Sequence, residues 1–274
     1  NFAVVFSNPD LLRVQGITIL LGLVAAVIAL LLGYPLAYML AHGPRWAKSL
    51  LFLATILPLL TSSLIRTFGW MVFFQSPFVT ALTGGETLMD TGFAVLVGLV
   101  HLSVPLVTLV LLTGMRQIDM DLVRVSSSTG AGRVLTFFRV YFPLTVPTIE
   151  VALIIGFVFA AGSFTTPAIL GGHGFWGSMV GSEGYWRIFR YGDFGVSSAM
   201  SIILVLVCLV VIGVYKWLLG GKIEWLIRRS SGHEYGRSAH SDTTNQPSAA
   251  RMSLRNGWND ILRFLDTGVI ARIL

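Results

Sequence analysis

The residues able to do chemistry are few, and most lie in one segment between two long apolar runs. Residues 115–147 read MRQIDMDLVRVSSSTGAGRVLTFFRVYFPLTVP, with Arg116, Arg124, Arg133 and Arg139 against Asp119 and Asp121 around a Gly130-Ala131-Gly132 break. A basic, hydroxyl-rich loop of this length between apolar segments suits docking to a partner. On either side, 91–114 and 151–182 contain no Asp, Glu, Lys or Arg. Two charges interrupt the apolar runs themselves, Arg66 and Glu150. A carboxylate turned to lipid costs roughly 2.5–3.5 kcal/mol on insertion scales, so Glu150 should face other helices or an interface. A third group, Phe175, Trp176, Tyr185 and Trp186 with Glu183 and Asp193, mixes aromatic rings and acids, and Arg187 and Arg190 lie among them. His42, His101 and His173 are isolated and lack metal-ligand spacing. The single cysteine, Cys208, sits in SIILVLVCLVVIGVY and reads as a small buried hydrophobe.

The elements that position these residues are membrane helices. The mean hydropathy is +0.78, with 54% hydrophobic and only 12% charged residues. Soluble domains carry about 25% charged residues, so lipid is the expected solvent for much of the chain. The net charge of +6 comes without a dense basic cluster on a soluble module, which argues against a nucleic-acid partner. There is no GxxxxGK[ST] nucleotide loop and no signal peptide with a small-residue cleavage site.

Since about 20 apolar residues cross the hydrocarbon core, five spans are predicted within 14–219. They cover about 14–41, 50–74 (broken by Pro58), 92–114, 144–170 and 196–219. Prolines and small residues inside these runs predict a bundle, in which neighbours satisfy freed carbonyls and backbones approach closely. Connections 42–48, 116–140 and 216–229 hold ten Lys/Arg and three Asp/Glu, whereas 1–13, 75–91 and 171–195 hold three basic and five acidic residues. Positive loops stay inside, so 1–13 is expected to be periplasmic and the central loop cytoplasmic. Polar 220–250 reads as a cytoplasmic linker, and 251–274 as an amphipathic C-terminal helix, with a frayed tail as the alternative.

Within the loop, Asp119 or Asp121 is expected to cap a short helix over 122–128. Val134, Phe137, Phe138 and Tyr141 are expected on one side of a second, which hands over to the next span at Pro143 and Pro147. The loop resembles the EAA loop of inner-membrane permease subunits of binding-protein-dependent ABC importers, with the spermidine/putrescine-type branch as the nearest match. The family form is E-A-A-x-x-x-G-A, an aromatic, then R-V-x-L-P-L-x-x-P. Its counterparts here are Arg124-Val125-Ser126-Ser127-Ser128-Thr129-Gly130-Ala131, Phe137, Phe138, and Arg139-Val140-Tyr141-Phe142-Pro143-Leu144 through Pro147. Further blocks agree: Gly33-Tyr34-Pro35-Leu36-Ala37-Tyr38, Pro58 through Arg66-Thr67-Phe68-Gly69-Trp70, and Phe164-Thr165-Thr166-Pro167-Ala168-Ile169-Leu170-Gly171-Gly172. Arg124 replaces the family glutamate and Ser126 the second alanine. The family usually has six spans, so the start of this chain fits loss of the first, and the tail after Arg229 is longer than the family's.

The resemblance implies an all-α fold, a polytopic transmembrane bundle of the type I ABC importer permease kind with a cytoplasmic coupling-helix loop at 116–143. It implies a multi-pass subunit of the bacterial inner membrane that forms half of a translocation pathway, for polyamines in the nearest branch. The partners implied are a second homologous permease, two ATPase subunits, a periplasmic substrate-binding protein and membrane lipid. No catalytic residue and no cofactor belong to the chain itself, since ATP and Mg sit on the ATPases. The expected ATPase contacts are Arg124, Ser127, Thr129, Gly130, Arg133 and Phe137. Arg66, Glu150, Ser163 and Thr166 are candidates for the pathway or for structural charge. Glu150 would attract a cationic substrate or serve in a structural pair; Arg66 would pair with a carboxylate or cap carbonyls freed by a helix break. Trp176, Glu183, Tyr185 and Asp193 on the periplasmic face suit either a polyamine, through cation–π and charge pairing, or an interfacial belt and docking face. An ion-coupled carrier would need inverted repeats and several mid-membrane carboxylates, and a membrane enzyme would need clustered His/Asp/Glu; neither pattern is present. Within the family, an anion, an iron chelate, thiamine or another small solute is the alternative cargo, because selectivity rests largely on the binding protein.

Overall fold

The computed structural model describes residues 1–121, 123, 126, 132–172 and 174–231, with Arg133 and 215–231 described by backbone alone. Every regular element among them is helical. A short α1, Phe2–Ser7, leads into α2, Pro9–His42. The Asn8 side chain accepts the Asp10 amide at 3.0 Å and Pro9 occupies the first helical position, two ordinary start signals. There follow α3 (Arg45–Leu60), α4 (Ser63–Phe74), α5 (Pro77–Leu82) and α6 (Gly92–Met115). After the central loop come α7 (Arg133–Thr136), a π turn (Phe137–Tyr141) and α8 (Phe142–Ala161). The remainder comprises α9 (Thr165–Leu170), a 3₁₀ turn (Phe175–Gly177), α10 (Val180–Tyr191) and α11 (Phe194–Ser231). Contacts divide the chain after Gly220, and the described part of the second unit, 221–231, is helical.

α2, α6 and α8 form the core of the first unit. Small residues allow their close approach, as expected for helices that gain no hydrophobic advantage from leaving lipid. A Cβ on Gly22 would lie 3.2 Å from Ala161 Cβ, one on Gly33 3.0 Å from Thr108 Oγ1, and one on Gly156 2.9 Å from Val107 Cγ2. Polar side chains fix the outer elements to this core. Gln15 Nε2 donates to the Met200 carbonyl of α11 at 2.9 Å, and Thr18 Oγ1 accepts the Val180 amide that opens α10 at 2.9 Å.

Among the described residues, four helical segments are long and apolar enough to cross a membrane: Pro9–His42, Gly92–Met115, Val134–Ala161 and Phe194–Val214. The expected second span is instead a bent pair, α3 and α4, meeting at 102°. Its break is not at Pro58. The helix runs on to Leu60, and extended backbone falls at Thr61 and Ser62. Thr61 Oγ1 donates to the Leu57 carbonyl at 2.9 Å, satisfying an acceptor that the terminated helix leaves open. The expected fourth span also stops early, at Ala161. Gly162 and Ser163 close it, and α9 starts afresh beyond Phe164. At its start the same helix takes over from the π turn at Phe142, beside the expected handover at Pro143, and runs on through Pro147. Pro143 falls in the first turn of α8, where an amide is not needed. The last helix extends through Ser231, so the described part of the expected 220–250 linker, 220–231, is helical; residues 232–274, including the expected 251–274 helix, lie outside the described residues.

Candidate functional site

The central loop begins where α6 ends. Asp119 Oδ1 accepts the Asp121 amide at 2.9 Å, so the cap is Asp119 rather than Asp121. The helix expected over 122–128 lies mostly outside the described residues, as do Arg124, Ser127, Thr129 and Gly130. Ser126 Oγ lies 3.4 Å from Thr136 Oγ1, tying the incoming part of the loop to α7. Beyond α7 the backbone widens into the π turn, in which the Phe142 amide reaches back to the Phe137 carbonyl. Insertions of this kind re-aim side chains and recur at functional positions.

The four residues expected on one face divide into two pairs here. Val134 and Phe138 are 71% and 63% exposed, while Tyr141 is 2% exposed and Phe137 half-buried. Phe137 stands edge-on to Tyr38 with ring centroids 5.8 Å apart and stacks on Tyr141, also at 5.8 Å. Tyr141 meets Tyr38 at 5.4 Å and His42 at 5.3 Å. Tyr34 Oη lies 3.2 Å from Thr145 Oγ1, whose own proton goes to the Phe142 carbonyl at 2.7 Å, so the phenol donates. Lys48 Nζ donates to the Ala41 carbonyl at 2.8 Å and so completes the end of α2. The loop's return is therefore clamped by rings to the inner end of α2. Sequence reasoning missed α2's part, although Tyr34, Tyr38 and His42 recur every four residues on one helix face.

A second polar group lies inside the bundle. Arg66, Ser63, Thr67 and Trp70 of α4, His101 of α6 and Thr166 of α9 surround a cavity of ≈ 10 Å³. Trp70 Nε1 donates to His101 Nδ1 at 3.0 Å, so the neutral ring carries its proton on Nε2. Thr67 Oγ1 donates to the Ser63 carbonyl at 2.8 Å. Arg66 Nε and Nη1 are shielded from solvent with no hydrogen-bond partner, and neither expected role, carboxylate pairing or carbonyl capping, is filled among the described residues. Glu150 Oε1, in α8, is likewise buried without a partner, and Glu150 and Arg66 do not meet. Ser163 sits in the turn between α8 and α9.

The outer aromatic group is largely structural. Trp176 covers Gly92, where a Cβ would come within 2.7 Å of the indole. Glu183 pairs with Arg187 at 3.1 Å, and Asp193 Oδ1 accepts the Val196 amide at 3.0 Å, capping α11. Tyr185 keeps an exposed edge between Phe164 and Phe189, at 4.7 and 4.4 Å. No group of three His, Cys, Asp or Glu among the described residues is arranged to hold a metal.

A helical bundle with a basic loop clamped to one end has close relatives. The chain is 33% identical over 231 residues to the spermidine/putrescine transport system permease protein PotB of Haemophilus influenzae, covering 79% of each chain. It is 30% identical over 216 residues to PotB of Escherichia coli K12, covering 74% of this chain and 78% of that one. Its fold matches a chain of a bacterial alginate ABC transporter crystallised with an alginate pentasaccharide-bound periplasmic protein, at TM-score 0.64 and 18% identity over 80% of this chain and 81% of that one. The family of binding-protein-dependent transport system inner membrane components matches residues 29–220, and the chain belongs to that family.

Proposed function

We propose that this permease is one of two membrane subunits that together form the translocation pathway of an ATP-driven polyamine importer. The observation that carries the cargo assignment is the similarity to spermidine/putrescine permeases over about four-fifths of both chains. Two ATPase subunits dock below on the central loop 116–143, and a periplasmic binding protein delivers cargo above. Arg124, Ser127, Thr129, Gly130 and Arg133 contact the ATPase. Phe137, whose ring is spent on Tyr38 and Tyr141, positions the loop and transmits its displacement to α2. ATP-driven closure of the partners then biases a bundle with two arrangements.

Glu150, with one buried unpaired carboxylate oxygen, attracts the cationic cargo in the inner half of the pathway. Ser163 and Thr166 line the outer half, and Tyr185, with Trp176, Glu183 and Asp193 behind it, belongs to the docking face of the binding protein. Glu150→Gln is expected to raise the KM for spermidine uptake in vesicles while the complex assembles normally. The deciding experiment reconstitutes the co-purified complex and measures ATP hydrolysis with polyamine-loaded binding protein. Stimulation by spermidine or putrescine supports the assignment, and its absence sinks the cargo. An anionic cargo is the second reading, favoured by the unpaired guanidinium of Arg66; the same assay with an anion-loaded binding protein tests it.

A further inference from the structure

Arg66 is the charge that the polyamine reading leaves unused. It lies beside His101, nine residues in from the outer end of the 24-residue α6, which is about 13 Å along the helix axis at 1.5 Å per residue. A guanidinium cannot be deprotonated at ordinary pH, so a neutral form does not relieve the shielding of its Nε and Nη1, the residue itself being partly exposed. The surroundings do not relieve it either. His101 is a neutral ring whose Nδ1 is taken by Trp70, the Thr67 hydroxyl proton goes to the Ser63 carbonyl, and among the described residues no carboxylate pairs with Arg66.

We infer that Arg66 receives a carboxylate from a membrane helix of the second permease subunit, so that the α4 face around it is part of the subunit interface. This rests on the paired-permease reading above. The cavity beside the guanidinium, ≈ 10 Å³, has room for about one oxygen-sized group, which admits the tip of an Asp or Glu side chain. The surface around it suits an otherwise apolar helix. Leu64, Ile65 and Phe68 are exposed on α4, and Trp70 and His101 also border an apolar groove of ≈ 470 Å³ with Ile28, Leu32, Phe93 and Val104. An apolar helix bearing one acid matches both features, and a lipid chain matches only the groove. The charge also specifies the partner, since a helix without the acid leaves a guanidinium buried and unpaired, a large penalty against the wrong subunit.

The test uses the co-expressed importer with an affinity tag on this chain. A photo-crosslinking benzophenone amino acid in place of Ile65, which is 64% exposed, is expected to capture a peptide of the second permease with an Asp or Glu within one helical turn. Arg66→Gln is expected to lower recovery of that permease on the order of 30-fold, as for truncating one member of a buried charge pair, and Arg66→Lys is expected to retain much of it. Arg66→Glu should abolish recovery, and replacing the crosslinked acid by Arg in the partner should restore it, a result that general misfolding of the variant would not give. Capture of lipid alone, capture of a peptide without an acid, or equal recovery with Arg66→Gln overturns the Arg66 assignment and leaves the paired-permease reading standing. Tight binding of an anionic solute that is lost in Arg66→Gln, with recovery unchanged, overturns it in favour of a cargo site. Absence of any second permease from the unsubstituted preparation overturns the pairing reading and this inference with it.

Discussion

Tyr141 is buried and Arg66 partly so, and among the described residues both have shielded polar atoms without a partner, but their energetics differ because one group is neutral. An unmade hydrogen bond to a phenol costs about 1–3 kcal/mol, and removing the hydroxyl removes the penalty. Tyr141→Phe should therefore leave the thermal midpoint of the purified complex unchanged or raise it by a few degrees, and leave uptake intact. A fall in the midpoint would show that the hydroxyl has a partner in the assembly. Gly98 tests packing at the same scale. A Cβ there would lie 2.5 Å from Thr166 Cγ2, and overpacking of this kind costs about 1–3 kcal/mol. Gly98→Ala should destabilise, and Thr166→Ser, which deletes the colliding methyl, should return part of the loss in a double-mutant cycle. Additive effects in that cycle would place the two residues apart.

Among the elements, the π turn and the α3–α4 bend decide where the polar groups point. Across the π turn at Phe137–Tyr141, Phe137 and Tyr141 enter the ring cluster while Val134 and Phe138 turn out. Phe137→Ala and Tyr38→Ala should each reduce the stimulation of ATP hydrolysis by loaded binding protein. Because both rings belong to one cluster, the double variant should lose little more than the worse single one. Independent losses would show that the cluster does not act as a unit. The bend at Thr61–Ser62 is predicted to survive Pro58→Ala, since the proline lies inside α3 and not at the break. Spin labels on α3 and α4 should report unchanged distances, and a lengthened separation would assign the bend to the proline.

For the whole molecule, the charge bias of the connections predicts one orientation. In a background with Cys208 replaced by Ser, Arg116→Cys should react with an impermeant thiol reagent only from the cytoplasmic side, and Glu86→Cys only from the periplasmic side; both positions are exposed. The reverse pattern would invert the assignment of the central loop. Family membership assigns the chain to a transport system that depends on a binding protein, whereas its cargo and partner subunits are tested by the assays above.

Much of this was legible in the linear chain because its signals are local. Apolar length is additive along a helix, which is why 14–41 and 92–114 fall within a residue or a few of α2 and α6. Proline and glycine mark strain but not its location. Pro58 and Pro143 are absorbed by neighbouring turns, and the breaks fall at Thr61, whose hydroxyl donates to the Leu57 carbonyl, and at Gly162, whose amide donates to the Val158 carbonyl. The glycines of α2 and α8 announced close contacts without naming the partner, because Gly22 meets Ala161 and Gly156 meets Val107 only once three helices are packed. By itself the sequence determined the helical membrane class and the loop motif, both of which depend on composition and short-range order. Only the tertiary structure decided that Tyr34, Tyr38 and His42 grip the returning loop, that Trp70 occupies His101, and that Nε and Nη1 of Arg66 find no partner among the described residues. Those facts depend on which distant segments share a contact, and burial makes each missing or satisfied hydrogen bond count.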